Sequence, residues 1–406
     1  MQASSLATAP QATTSLAGRS TALDLLADFL PRAGSRYAED RNFDRGPDDR
    51  SNVSGLSPYL RRRLITEREV ARAVLEQHSA RAAEMFLQEV YWRTYWKGWL
   101  EMRPQVWGDY LAALRRARDD VRASPGAISQ HEAAVLGATG IDCFDAWARE
   151  LRDTGYLHNH ARMWFASIWI FTLRLPWVLG ADFFYRYLLD ADPASNTLSW
   201  RWVAGLHTRG KNYVARADNI AKFTRGRFNP VGQLDESPQP VAEWQEVSRR
   251  LIPPSELTRP GLRTAVLHTE DDLRGDVPGG VDADAHFLLA PTEGLRSARS
   301  LSFSCDALGD TFRRLEESTG KAIAGCDSAS HLCELAQQHD VQQVVAFHPG
   351  VGETSEVLRD LRFRLAESGV RLVLMRRRWD SELFPHATAG YFRFKKHLPS
   401  HWAQLA

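Results

Sequence analysis

The chain has 406 residues, long for one domain, and its 44% hydrophobic and 25% charged composition can bury a substantial core. A net charge of +1 neither demands nor excludes a polyanionic partner. No apolar run is long enough to span a bilayer, and Cys143, Cys305, Cys326 and Cys333 lack CxxC or zinc-like spacing, so they read as reduced thiols of a cytoplasmic protein with neither a zinc site nor an iron–sulfur cluster.

Residues 1–20 are rich in Ala, Ser and Thr without a long apolar core, which reads as a disordered tail, an organelle-targeting segment being the alternative. From 21 to 250 the pattern is helical. Leu60–Gln77, Ala80–Leu100, Trp107–Ala123, His131–Thr154 and Asn159–Leu175 carry apolar residues at helical spacing, punctuated by Pro104, Pro125–Gly126, Gly155 and Pro176. Scattered prolines over Pro230–Pro260 mark a boundary. Beyond it, Arg263–Thr269, His286–Ala290, Gln343–Phe347 and Val370–Met375 are strand-like. Helical stretches at Ala307–Glu317, Ala329–His339 and Ser355–Ser368 alternate with the later strands. The expected fold is therefore an all-helical domain (21–250) followed by a smaller, Rossmann-like parallel α/β domain (251–406).

Thirteen tryptophans are many, and eleven fall between Trp92 and Trp244. Within Glu89-Val-Tyr-Trp92-Arg93-Thr-Tyr95-Trp96, Glu89, Trp92, Arg93 and Trp96 share one helical face. An acid and a guanidinium beside two indoles are poor choices for a dry core unless they bond something; a structural ion pair is the simpler account of this stretch alone. Asn159, Arg162 and Met163 share a second face. His158 and His160 lack the acid or thiol that would complete a metal set, and no metal is expected there. Asp190 and Asp192 precede Asn196, Trp200 and Trp202; read alone, the two acids suit capping better than cation binding. Ser51–Tyr59 is a Ser/Gly turn opening a helix at Pro58, which suits either an anion such as a diphosphate or an ordinary N-cap.

In order and spacing these four stretches resemble the flavin-binding domain of DNA photolyases and cryptochromes. That family has "TSxLSPYL", "ExxWRxFY", "TG…GWxHNRxRM" and "DxDxxxNxxxWQW"; here they stand as Val53–Leu60, Glu89–Trp96, Thr139-Gly140…Gly155–Met163 and Asp190–Trp202. The resemblance covers roughly Tyr37 to Phe228. It implies FAD, with Ser54 and Ser57 on the diphosphate and Tyr37 and Arg93 near it. Leu56 and Phe86 would also line the cofactor. Asn159 and Arg162 would border the ring system, Asp190 would pair with Arg162, Asp190 and Asp192 would take ribityl or ring hydrogen bonds, and Asn196 would face flavin N5. Val53 stands where the family has Thr, His160 where it has Arg, and Tyr156 where it has Trp. The segment Gly205–Tyr213 departs from the family's usual loop.

The resemblance also implies light-driven electron transfer, with Trp200 proximal to the flavin and Trp177 next. The outer position falls in Val121–Gln130, which has no Trp, so the exit would pass through Trp164, Trp169 or a tyrosine. For repair of cyclobutane pyrimidine dimers, Glu89, Trp92, Met163 and Trp202 would line the pocket of a flipped-out lesion. The basic run Arg201–Arg227 (seven basic residues, one acid), joined by Arg61-Arg62-Arg63, would grip flanking phosphates. The expected partner is damaged DNA, bound by a monomer; a blue-light receptor without repair is the alternative. The α/β region is similar to the family's antenna domain, placed after the flavin domain in place of before it, with a tail (Gly390–His397) like the segment that closes that domain. A second, antenna chromophore is left unidentified: His348-Pro-Gly350-Val-Gly352 after a strand suits either a nucleotide-like pigment or a plain turn.

Overall fold

The computed structural model describes residues 16–405 apart from 209, 243–245, 293 and 295. The tail expected over 1–20 lies mostly outside those residues, and the first helix already begins at Arg19.

The helical region runs through α1 (Arg19–Phe29), α2 (Ser35–Asp40), α3 (Ser57–Arg61), α4 (Glu67–Gln77), α5 (Ala80–Glu101), α6 (Gln105–Arg122), α7 (Pro125–Leu136), α8 (Asp142–Thr154), α9 (Asn159–Ser167), α10 (Trp177–Tyr187), α11 (Pro193–Val203) and α12 (Ala217–Phe223). The α/β region follows as β1 (Thr264–His268), β2 (Ala285–Leu289), α13 (Ala298–Thr319), β3 (Ala322–Cys326), α14 (Ala329–Gln338), β4 (Gln343–Phe347), α15 (Glu353–Glu367) and β5 (Arg371–Met375). Three short helices close the chain: α16 (Arg378–Leu383), α17 (Tyr391–Lys395) and α18 (Leu398–Ala403). Among the described residues no helix is long and apolar enough to cross a membrane.

Two expected helices are divided. Leu60–Gln77 breaks at Arg63, which sits in the left-handed region (φ 47), and α4 restarts on a capping box between Thr66 and Glu69. His131–Thr154 breaks at Gly137, whose missing Cβ and φ of 71 close α7. The Asp145 carboxylate then accepts from the N–H groups of Thr139 and Gly140 and ties down the turn into α8. Asn159–Leu175 passes from α9 into a π-helical turn over Ile168–Thr172.

The sheet is wholly parallel, in the order β3-β2-β1-β4-β5. The edge strand β3 was not anticipated, because Ala-Ile-Ala-Gly-Cys has one β-branched residue and no alternation. One face of the sheet packs through Leu267, Phe287, Val344 and Leu372 onto α14 and α15. The closing segment leaves this core and joins the helical one: Trp379, Leu383, Tyr391, Phe394, Leu398 and Trp402 pack with α5 in a single cluster. Trp379 donates its indole N–H to Thr94 Oγ1 (2.9 Å), and Tyr91 Oη meets His401 Nδ1 at 2.7 Å.

A buried ionic layer joins the two regions. Arg61 meets Asp271 at 2.7 Å, and Arg63 forks onto Asp380 at 2.7 and 2.8 Å while touching Glu67. Arg62 reaches Ser304 and the Leu189 carbonyl. Arg377 bridges Asp272 and Asp276, and Arg296 pairs with Glu270. Burial alone would raise the Glu67 and Glu270 carboxyls. Arg63 and Arg93 around the first, and Arg296 and Arg61 around the second, more than offset it and hold both at about 2.

Candidate flavin site

The first turn of α9 presents Arg162 to Asp190 just before α11. The guanidinium binds both carboxylate oxygens, at 3.1 and 3.0 Å, and its Nε donates to the Leu157 carbonyl. Such a fork fixes the plane of both groups. Asp192 is the N-cap of α11, accepting from Ala194 N and Ser195 N at 3.0 and 2.9 Å, and its second oxygen lies 3.3 Å from Arg93 on α5. Burial would raise this carboxyl, but Arg93, Lys97 and Arg61 hold it at about 2. Asp192 therefore does cap, as its sequence context suggests, while Asp190 pairs with Arg162. One turn on, Asn196 donates Nδ2 to the Ala181 carbonyl (2.8 Å), which fixes its buried amide.

Opposite stands α5. Glu89 pairs with Arg41 at 2.5 Å; burial raises its pKa and Arg41 opposes the shift. Its side chain keeps 30% of its accessibility, so the pair is part-exposed. Tyr37 packs edge-on to Phe86, with ring centroids 5.1 Å apart. Met163 is half-exposed and Asn159 exposed at the start of α9. Trp92 is stacked by Tyr391 (3.5 Å, 10°), and Trp202 by Tyr213 (5.5 Å, 29°).

A cleft of about 470 Å³ opens beside the Ser51–Gly55 turn, between α1, Tyr59, Tyr156, Leu189 and Phe303. The Tyr156 ring in its lining also meets the guanidiniums of Arg50 (4.3 Å) and Arg162 (5.6 Å), which links the cleft to the Arg162–Asp190 pair. Ser54 Oγ accepts weakly from Leu56 N (3.4 Å), Leu56 itself is buried, and Ser57 begins α3. That helix has only five residues, so its dipole adds little to anion binding there, and the hydroxyls and guanidiniums carry the polarity of the cleft.

The groups present fit a flavin dinucleotide. Ser195 Oγ and Arg93 Nε, both beside the Asp192 cap, have no hydrogen-bond partner among the described residues, so two donors there are free to meet a ligand.

Trp200 is fully buried, edge-on to Phe184 (5.1 Å) and Trp169 (6.2 Å). A Cβ on Gly180 would stand 2.3 Å from the Trp200 ring, so α10 can pass beneath that indole only with glycine at this point. Trp177, one turn before Gly180, lies 5.8 Å from Tyr110. Trp164 stacks on His160 and Trp147. The ring nitrogens of His158 and His160 meet the carbonyls of Arg41 and Asn42, and burial lowers both imidazole pKa values, that of His158 to about 4.

One expectation is corrected. Arg61, Arg62 and Arg63 do not face DNA: they are 5%, 2% and 1% exposed within the ionic layer. Of the two readings of the His348–Gly352 loop, the plain turn fits: Lys97 Nζ donates to the Pro349 carbonyl, and only about 10 Å³ of free space lies beside the loop. By contrast Lys211, Arg216, Lys222, Arg225 and Arg227 are exposed, while Arg209 lies outside the described residues. Three contributors went unread in the sequence: Arg41, one residue past α2 and four past Tyr37; Phe303 from α13; and Tyr391 as the partner of Trp92. The spacing of Arg41 from Tyr37 was a usable local signal. The other two come from distant segments and gave none.

Residues 86–247 match the family described as the FAD binding domain of DNA photolyase. This part of the chain is similar to the FAD-binding domain of photolyases. The chain is 32% identical over 211 residues to the deoxyribodipyrimidine photo-lyase of Streptomyces griseus, covering 48% of this chain and 44% of the relative. It is 35% identical over 263 residues to that of Agrobacterium fabrum, covering 61% and 50%. Among solved structures it is similar to a class III photolyase from Agrobacterium tumefaciens, at 30% identity and a TM-score of 0.43, over 51% of this chain and 42% of that one. The chain spans about half the length of the curated relatives it matches. Bound FAD would supply the photochemistry and the electron; Arg162, Asp190, Arg93, Ser195 and Asn196 would hold it.

Proposed function

We propose that the chain is a light-dependent repair enzyme for cyclobutane pyrimidine dimers, working as a cytoplasmic monomer on damaged DNA. The observation that carries this reading is the part-exposed Glu89–Arg41 pair on α5, the helix that also carries Arg93, which pairs with Asp192. Trp92 and Trp202 would flank a flipped dimer, Met163 and Asn159 would border it, and the raised pKa of Glu89 suits a group that hydrogen-bonds pyrimidine carbonyls as charge builds on them. The exposed cations from Lys211 to Arg227 would take the flanking phosphates.

A second reading is a blue-light receptor that binds flavin and repairs nothing. It is favoured by one observation: each indole meant to stack on a base already has a tyrosine on one face. The test is illumination of the fully reduced protein with dimer-containing single- and double-stranded DNA. Restored pyrimidines support the repair reading, flavin photochemistry without restored pyrimidines supports the receptor, and a chain that takes up no flavin sinks both. Glu89→Ala should lower the repair yield while leaving flavin bound.

A further inference from the structure

Val121–Gln130 offers no tryptophan to carry an oxidising equivalent out from the buried Trp200. The structure places a different aromatic path nearby. Trp177 on α10 lies 5.8 Å from Tyr110 on α6, and Tyr110 lies 5.4 Å from Trp107 one turn earlier, both pairs inclined at 36°. The indole N–H of Trp107 donates to Glu356 Oε1 at 3.1 Å, across the boundary to α15. Trp107 and Tyr110 are each 3% exposed, whereas Glu356 is half-buried and in touch with solvent.

We propose that Trp107 is the terminal electron donor of this protein and that Glu356 takes its proton. The proposal rests on the flavin reading above. With flavin bound, Trp200 would be the first donor and Trp177 the next, as the resemblance implies, and Trp107 would refill Trp177 across the ring of Tyr110. The Trp107 radical cation then releases its indole proton along the existing hydrogen bond, leaving a neutral radical and a protonated Glu356. One electron has left Trp107 and one proton has moved to Glu356. An external thiol later returns an electron and Glu356 returns the proton.

Two features of the chain make this path directional. A radical cation is far more acidic than the parent indole, and a carboxylate already bonded to its N–H needs no rearrangement to accept the proton. Loss of that proton removes the charge that would pull the electron back. Tyr110 acts as a bridge through its ring without itself being oxidised; burial, with Asp182 adding to it, keeps its hydroxyl protonated in the resting state. The path also gives the α/β region a part in the photochemistry, because Glu356 belongs to α15.

The test uses the flavin-loaded full chain with a thiol reductant, followed by flash absorption and by steady photoreduction. Trp107→Phe should slow photoreduction by roughly tenfold or more with flavin still bound. Tyr110→Phe should leave the rate nearly unchanged, because the ring stays, while Tyr110→Leu should slow it. Glu356→Gln should keep the first electron transfers but replace the neutral indolyl absorption with a shorter-lived radical cation. Trp99→Phe, off the path, should match the parent. In the flavin-free chain, Glu356→Gln should also shift the Trp107 indole N–H resonance, independent of any photochemistry. Unaltered photoreduction in Trp107→Phe with flavin bound, or an unmoved indole resonance in Glu356→Gln, overturns the proposal. A parent chain that never takes up flavin overturns the underlying flavin reading, and this path falls with it.

Discussion

The boundary between the helical and α/β regions and the candidate flavin site on α5, α9 and α11 are both rich in arginine and carboxylate, yet they differ in exposure. At the boundary each guanidinium of the Arg61–Arg63 run is 5% exposed or less and has a carboxylate, hydroxyl or carbonyl partner. At the flavin site the Glu89–Arg41 and Arg162–Asp190 pairs keep part of their accessibility. Burying a charge is tolerable only with partners, so the sealed pairs hold a joint together while the part-open ones can still meet a ligand. Arg93 belongs to both, binding Glu67 on one side and Asp192 on the other.

The boundary should break hardest. Arg63→Met strips buried Asp380 of its guanidinium and leaves Glu67 to Arg93 and Asp272 to Arg377, and we expect a loss of about 3–5 kcal/mol in urea unfolding. The left-handed backbone at this position adds strain that only the ion pairs justify. A loss under about 1 kcal/mol would mean that the layer is incidental to docking.

Acid should find the same joint next. Glu67 and Glu270 titrate at about 2 when folded, below the ordinary carboxylate value, so between those values the unfolded chain binds more protons than the folded one. Their contribution is complete above roughly pH 4.5 and is lost as pH falls toward 2, at roughly 2–3 kcal/mol for each group. Glu89, whose pKa is raised, works the other way and favours the folded state in acid. Thermal unfolding across that pH window should therefore show stability falling with pH, and Glu67→Gln should flatten the slope.

The flavin site should respond in ligand affinity more than in stability. Asp190→Asn removes the charge that Arg162 grips, and we expect FAD to bind roughly 30-fold more weakly, about 2 kcal/mol, with the fold retained. Circular dichroism with flavin titration measures both. A variant that unfolds would class this pair with the boundary.

Much of this contrast was out of reach of the sequence for a physical reason. Helical faces such as Glu89/Trp92/Arg93 and the order of the four motifs are local, and the flavin-binding region was legible from them. The acidic run Glu270–Asp272 lies more than 200 residues from Arg61–Arg63, and nothing local pairs them, so the arginines looked free for phosphate. The strand at Ala322–Cys326 has no periodicity because it lies at the sheet edge and is only partly buried. The joins at Gly137 and Arg63 depend on backbone conformation, and the helical spacing runs through both without interruption.

The smallest effect lies where the two regions overlap. Tyr391 comes from the closing segment after the sheet, yet it covers one face of Trp92, while its hydroxyl donates to the Gln88 carbonyl. Tyr391→Leu should cost only about 1 kcal/mol, since it removes a stacked pair and one hydrogen bond but keeps apolar bulk. It should also raise acrylamide quenching of the indole emission, because Trp92 is already half-exposed and would gain an open face. Unchanged quenching would mean that something else covers that face in solution. A gain in quenching with little loss of stability would place Tyr391 with the part-open flavin site, despite its origin beyond the sheet.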